Sequence, residues 1–226
     1  MNYAVFTNTF RKSDMNVSKK LLFYSFVFLG LSFIPVKNAS SPAKDALTKK
    51  ERQYAVKFLK ETENDVLSKI KGLSEAQLKF KPAPDRWSVE ECLKHIAITE
   101  QALWHMALDT LQQAATPDRR GEVKVTDERL ISMVEDRTKK VQTMDPFKPE
   151  NTPFQSAEDA VASFKTNREK LITYVNSTRD DLRDHVTTMP FGTIDCYQLI
   201  LFIGAHSNRH SQQIAEVMAD PGFPKM

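Results

Sequence analysis

Residues 199–217 have the sequence LILFIGAHSNRHSQQIAEV and carry the clearest helical signal in the chain. The apolar residues recur every three or four positions, which is the spacing of one helix face. Two histidines, His206 and His210, share that face with the apolar residues Leu199, Ile203, Ile214 and Val217. A spacing of four places the imidazoles of His206 and His210 about one turn apart, where both could reach one cation. The pattern predicts an amphipathic last helix running from Ile194 to about Ala219.

Helical periodicity recurs upstream, and no useful length of chain alternates with a period of two. Ser74 and Ser88 each begin a capping-box pattern, which is typical of a helix start. Besides the last helix, we predict long helices over residues 46–71, 88–114 and 157–177, a helical turn or two after Ser74, and a shorter helix over residues 127–141. The sequence therefore predicts an all-α four-helix bundle without strands, with a long connection between helices 2 and 3 that contains a short extra helix.

The N-terminal region has the features of an export signal. Lys19 and Lys20 precede fourteen uncharged, mostly apolar residues, 21–34. This apolar run is shorter than the roughly 20 residues that a spanning helix needs. We predict that residues 1–43 are a signal peptide and disordered leader, and that the mature protein is secreted or periplasmic with no stable membrane span.

Several alternatives to this interpretation stay open. Cleavage after Ala43 is expected, but cleavage after Ala39 or an uncleaved anchor would also fit, and Met15 is an alternative start. The competing interpretation of the apolar run is an amphipathic or buried core helix.

Residues 44–226 are predicted to form one domain. Five of the 32 basic residues and one of the 29 acidic residues lie in residues 1–43, so the remainder carries a net charge of −1. The basic character of the full chain thus belongs to the export signal, and we expect no nucleic-acid partner.

A third histidine completes a candidate metal site. His95 lies about two turns into its predicted helix, and His206 and His210 lie three to four turns into theirs. Three neutral imidazoles with one open coordination position are the usual ligands of a reactive zinc-type centre. The alternative is a set of core or interface histidines with local hydrogen bonds. Gln213, three residues after His210, is a candidate outer-shell partner.

Other side chains fit the site less well. His105 is rotated about 80° from His95 on an ideal helix, and His185 falls in a charged stretch. Glu91 is expected to serve its capping box, and Arg209 an ion pair.

The two cysteines, Cys92 and Cys196, are expected to be buried thiols. Export would permit a disulfide between them, but the sequence does not show that they meet.

Three segments resemble the DinB-like superfamily of four-helix bundles. They are residues 86–96 (RWSVEECLKHI), the Phe191-Gly192 turn, and residues 206–214 (HSNRHSQQI). The resemblance spans roughly residues 46–219. It implies a three-histidine site for a divalent metal, and these roles fall on His95, His206 and His210.

The resemblance also bounds the function. Some members of the superfamily are similar to thiol-dependent S-transferases, others are described as metal-dependent hydrolases, and many have no known activity. We therefore expect an exported, divalent-metal-dependent enzyme of hydrolase or S-transferase type, using zinc or nickel on an unknown small-molecule substrate. The alternative is a non-catalytic metal-binding or stress-associated bundle, acting as a homodimer.

Overall fold

The computed structural model describes residues 47–225, so the predicted signal segment, residues 1–43, lies outside the described residues. Six α-helices and one hairpin follow each other along this part of the chain. They are α1 (Lys49–Ile70), α2 (Glu75–Lys79), α3 (Val89–Leu111), α4 (Asp127–Glu135), α5 (Ala157–Ser177), β1 (Val186–Met189), β2 (Gly192–Asp195) and α6 (Cys196–Met218). Short 3-10 turns lie at Pro117–Glu122, Asp145–Phe147 and Pro149–Asn151. The four long helices α1, α3, α5 and α6 form the predicted bundle.

Helix starts follow the capping signals in the sequence. Ser74 and Ser88 both form complete capping boxes, in which the serine side chain accepts from the backbone three residues later. Thr48 does the same at the start of α1. Because these groups satisfy amide donors that have no partner inside the helix, they fix where each helix begins.

α6 is the central helix of the bundle and packs on α1, α3 and α4. Its packing against the Phe58 ring of α1 depends on Gly204. A Cβ atom at this position would lie 2.8 Å from Cε1 of Phe58, a distance that would force a shift. Glycine therefore leaves room for the Phe58 ring against α6.

A buried polar layer crosses the bundle between two apolar clusters. One cluster includes Leu59, Leu103, Leu171 and Ile203, and the other includes Val66, Ala97, Phe164 and Ile214. Between them, each long helix contributes one buried polar side chain: Thr62 from α1, Glu100 from α3, Arg168 from α5 and Ser207 from α6. We call this set the Arg168 layer.

Every donor of Arg168 in this layer has an acceptor. Its guanidinium forms a bidentate pair with Glu100 at 2.7 and 2.6 Å. The remaining N–H groups donate to the Leu59 carbonyl, to Thr62 and to Ser207 at 2.7–2.9 Å. Arg168 is fully buried, so this complete pairing is what makes its charge tolerable in the core.

The predicted all-α bundle is confirmed, but the expectation that the chain has no strands was wrong at one place. Residues 186–195 form an antiparallel hairpin, with Val186 paired to Asp195 and Met189 to Gly192. The last helix therefore starts at Cys196 rather than Ile194, and Asp195 is its N-cap. Each strand has only four residues, too few for a period of two to be recognised in the sequence.

The hairpin is tied to the bundle at its base. Val186 and Ile194 are buried, and the backbone N–H of Cys196 donates to the His185 carbonyl at 2.9 Å. Gly192 has a φ of +137°, a backbone conformation that residues with a side chain rarely adopt. It follows the two-residue turn Pro190–Phe191 and begins β2.

The extra helix between the second and third bundle helices is also shorter than predicted. It ends at Glu135 rather than near Val141. Carbonyls at this end are bound by Arg209 from α6, as described below, so the chain can leave the helix there.

Both cysteines are buried and free, as expected. Burial raises the pKa of the Cys92 thiol strongly and that of Cys196 to about 12, so neither is a thiolate at neutral pH. Across residues 47–225, helices long and apolar enough to cross a membrane are lacking.

Candidate metal centre

The structure brings the three predicted histidines together. His95 lies in the second turn of α3, and His206 and His210 lie one turn apart on α6, which packs against α3. One potential ligand atom from each residue lies within 4.8 Å of the others. The three ring centroids are 4.4–5.0 Å apart. Within residues 47–225 this is the only group of three metal-ligating side chains at such spacing.

The backbone fixes the tautomer of His95. Its Nδ1 lies 2.7 Å from the carbonyl oxygen of Phe147, and a carbonyl can only accept. Nδ1 therefore carries the proton, and Nε2 presents a lone pair. That Nε2 is 3.2 Å from Nε2 of His206. Two imidazole nitrogens on one tetrahedral zinc, each about 2.0–2.1 Å from the metal, would be about 3.3 Å apart.

Gln213 orients the ring of His210. Its Oε1 lies 2.9 Å from Nδ1 of His210, which leaves Nε2 of His210 free. Arg137 donates to the same oxygen at 3.4 Å and pairs with Glu216 at 2.7 Å. Because Arg137 can only donate, this contact identifies the amide oxygen as the atom facing His210. Gln213 thus has the position of an outer-shell residue, which hydrogen-bonds the ring nitrogen of a metal-binding histidine that faces away from the metal.

Burial keeps the imidazoles neutral. It lowers the pKa of His95, although the hydrogen bond to Phe147 acts in the opposite direction. The pKa values of His206 and His210 fall well below the usual value, because the rings are desolvated and face other imidazoles and cationic side chains. Neutral imidazole is the metal-binding form, so the group is ready to bind at neutral pH.

Aromatic rings flank the histidines on two sides. Trp87 packs against His95 and His210, with centroids 4.9 and 5.9 Å apart. Phe202 stacks on His206 at 6.1 Å, and Phe191 from the hairpin turn stacks on Phe202 at 5.5 Å. These rings restrict access of water and limit the rotation of the imidazoles.

Arg209 fastens the connection that supplies the Phe147 carbonyl. The guanidinium donates to the carbonyls of Val134 and Lys139 at 3.2 and 2.7 Å, and to that of Asp136. The expected ion pair of Arg209 is therefore replaced by contacts with carbonyls at and just beyond the end of α4. The connection between α4 and α5, residues 136–156, is called the crossover. The helix that carries two of the histidines, α6, thus also holds the crossover against the bundle.

The remaining candidates have other roles. His105 is exposed, and His185 bridges the carbonyls of Asp181 and Gln113 at 2.7 and 3.1 Å. Glu91 serves its capping box, as predicted, and Glu100 pairs with Arg168.

Two contributors to the site were missed in the sequence. The Phe147 carbonyl belongs to the backbone and has no residue-type signal. Arg137 lies in the segment that the sequence assigns to a helix over residues 127–141, and the sequence predicts no role for its side chain. A helix stop after Glu135 would have been the signal for it.

Fold and site together define a four-helix bundle with a three-histidine group, in which His95 and His210 are buried and His206 is half-buried, and whose donors fit a divalent metal. Residues 59–214 match the DinB superfamily, and the chain belongs to it. This confirms the resemblance drawn from the sequence.

Two relatives from Bacillus subtilis are similar to this chain. The uncharacterized protein YuaE of strain 168 is 26% identical over 151 residues, which cover 66% of this chain and 88% of YuaE. The structure of YfiT, described as a probable metal-dependent hydrolase with an unusual four-helix bundle topology, superposes with a TM-score of 0.53 at 13% identity, covering 79% of this chain and 91% of YfiT. At this identity the likeness shows a shared fold.

Proposed function

We propose that this protein is a divalent-metal-dependent hydrolase whose metal is held by His95, His206 and His210. The convergence of three neutral imidazoles, with the free Nε2 of His95 3.2 Å from that of His206, carries the proposal. The description of YfiT as a probable metal-dependent hydrolase supports it.

An all-imidazole donor set suits zinc or nickel, which we propose as the metal. Such an ion supplies Lewis-acid chemistry, polarising a carbonyl or lowering the pKa of a coordinated water to about 7. The chain's own groups orient the imidazoles. The Phe147 carbonyl accepts a hydrogen bond from Nδ1–H of His95, and the Gln213 amide oxygen accepts one from Nδ1–H of His210. Trp87 and Phe202 limit water. Glu91 and Glu100 are committed elsewhere and do not act as general bases.

The test begins with elemental analysis of protein purified without a histidine tag. We expect one divalent ion per chain in the wild type and none in His206→Ala, with His105→Ala as the control that keeps the metal. Absence of a stoichiometric metal from the wild type would overturn the proposal.

Metal-loaded protein would then be assayed on ester, amide and thiol-transfer substrates. Turnover of esters or amides that disappears in His206→Ala supports hydrolysis. Thiol transfer alone would identify an S-transferase. Retained metal with no turnover on any of the three would favour a non-catalytic metal-binding bundle.

We further propose that the mature protein acts outside the cytoplasm. Lys19-Lys20 and the uncharged run of residues 21–34 support export. N-terminal sequencing of the exported protein tests this, with a start at Lys44 expected, or at Ser40 if cleavage follows Ala39. Recovery of the uncleaved chain in the cytoplasm would contradict it.

A further inference from the structure

We propose that Phe191 and Phe202 form an aromatic platform beside the histidine centre, which binds a flat, uncharged apolar group of the substrate. The platform consists of these two rings and adjoins His206. The inference rests on the proposed function, because it names the substrate class of that site: esters or amides that bear an aryl or similar planar group.

The rings form a continuous series from the centre to the surface. Phe202 is nearly parallel to His206, with 16° between the ring planes and 6.1 Å between centroids. Phe191 is nearly parallel to Phe202, at 10° and 5.5 Å. A planar group that packs against Phe202 would therefore lie beside the His206 imidazole.

Exposure separates Phe191 from the core residues of the hairpin. Its ring is 42% exposed, whereas Ile194 is fully buried and Val186 nearly so. Core packing therefore accounts for Ile194 and Val186 but not for an aromatic ring at the tip of the turn. An exposed aromatic ring continuous with a candidate site is what a ligand-binding surface provides.

The uncharged composition of the turn favours an uncharged substrate group on the platform. Residues 189–193 have the sequence MPFGT and carry no charge. An uncharged ring can lose its water here without separating a charge from its solvent, whereas a charged group would find no partner in the turn.

The hairpin that carries Phe191 is attached to the preceding connection along β1. Arg119 donates to Thr188 on β1 at 3.4 Å, and the Thr116 backbone N–H donates to the Asp184 carbonyl, just before β1, at 2.6 Å. A contact surface fixed in this way binds a ligand without the entropy cost of ordering a loop.

The test measures binding of two metal-directed probes to the full zinc-loaded protein by calorimetry. Benzohydroxamate carries a phenyl ring, whereas acetohydroxamate carries a methyl group on the same chelating head. We expect benzohydroxamate to bind the wild type about 3- to 10-fold more tightly, the range that one aromatic contact supplies. In Phe191→Ala this preference should disappear while acetohydroxamate binding stays unchanged. Phe191→Leu should retain part of it.

Tyr54→Ala is the matched control. Tyr54 is 45% exposed and stacks on Phe58 at 6.1 Å and 8°, but this pair lies on α1 and has no stacking contact with the histidines. It should leave the ratio of the two affinities unchanged.

The outcomes separate the two proposals. Acetohydroxamate binding with an unaltered preference in Phe191→Ala would overturn the platform and leave the metal site standing. Failure of both probes to bind the zinc-loaded wild type would overturn the platform together with the hydrolase. If sedimentation shows that Phe191→Ala dissociates a dimer and the affinity ratio stays unchanged, Phe191 is a contact between two copies, and the platform is again overturned.

Discussion

The Arg168 layer and the histidine centre are both buried polar clusters, and they meet at neighbouring residues of α6, Ser207 and His206. In the Arg168 layer each guanidinium donor finds an oxygen, and both oxygens of Glu100 accept. In the histidine centre the outward nitrogens of His95 and His210 are satisfied, while their other nitrogens are turned toward one another with lone pairs free.

This difference separates structure from chemistry. A polar cluster that is complete has nothing left to offer a ligand and serves to hold four helices in register. A cluster that is satisfied on its outer side and open on its inner side keeps its binding capacity. Burial alone therefore does not mark a functional site, whereas unused lone pairs that converge do.

The largest effect should come from opening the closed cluster. Arg168→Met leaves the Glu100 carboxylate buried without its partner, and we expect a loss of about 3–5 kcal/mol in the free energy of unfolding. Urea denaturation would measure it. The double variant Arg168→Met/Glu100→Leu should recover much of the loss, since no charge then remains buried. Equal instability of both variants would show that packing, rather than the unpaired charge, is responsible.

Filling the open cluster should stabilise the protein. Zinc at 100 times its Kd would add about 2.7 kcal/mol to the free energy of unfolding, because it binds the folded chain. The same addition to His206→Ala should have little effect. Thermal denaturation with and without zinc checks this, and similar stabilisation of the variant would place the metal elsewhere.

A smaller effect is expected from the outer side of the centre. Gln213→Ala removes the acceptor that orients His210, and we expect metal affinity to fall 10- to 100-fold while the fold persists. Gln212→Ala is the matched control, because the Gln212 side chain donates its hydrogen bond to the Glu135 carbonyl, at 3.4 Å, and not to a histidine. Competition with a chromogenic chelator gives the affinities. Equal losses in the two variants would remove the orienting role of Gln213.

The smallest effect concerns the metal-free protein and pH. The pKa values of the three histidines are lowered by burial in the folded state, so the unfolded chain takes up protons first as the pH falls through about 6.5. Stability should therefore be full above this pH and decline below it. Melting temperatures between pH 7.5 and 5.5, with chelator present, measure the decline. It should be shallower in His210→Ala than in the exposed control His105→Ala.

The open cluster could be predicted from the sequence better than the closed one. His206 and His210 can be recognised by their residue type and by their spacing of four on an apolar helix face. Arg168 and Glu100 have the types of surface residues, and only the assembled bundle shows that they are buried. The hairpin at residues 186–195 was not predicted for another reason, since four-residue strands are too short to show periodicity.

The outer partners of the histidines divide in the same way. Gln213 lies one turn from His210 on the same helix, so spacing alone could suggest it. The Phe147 carbonyl comes from a crossover whose path depends on Arg209, and long-range contacts of this kind have no local sequence pattern.

The crossover takes part in the centre through its main chain. Lys139 and Phe147 contribute carbonyl oxygens, to Arg209 and His95 respectively, and any amino acid supplies that atom. The side chains between Lys139 and Phe147 are thus not needed to hold the imidazoles. This stretch of the surface can change in sequence, and acquire new contacts, while the chemistry beneath it stays the same.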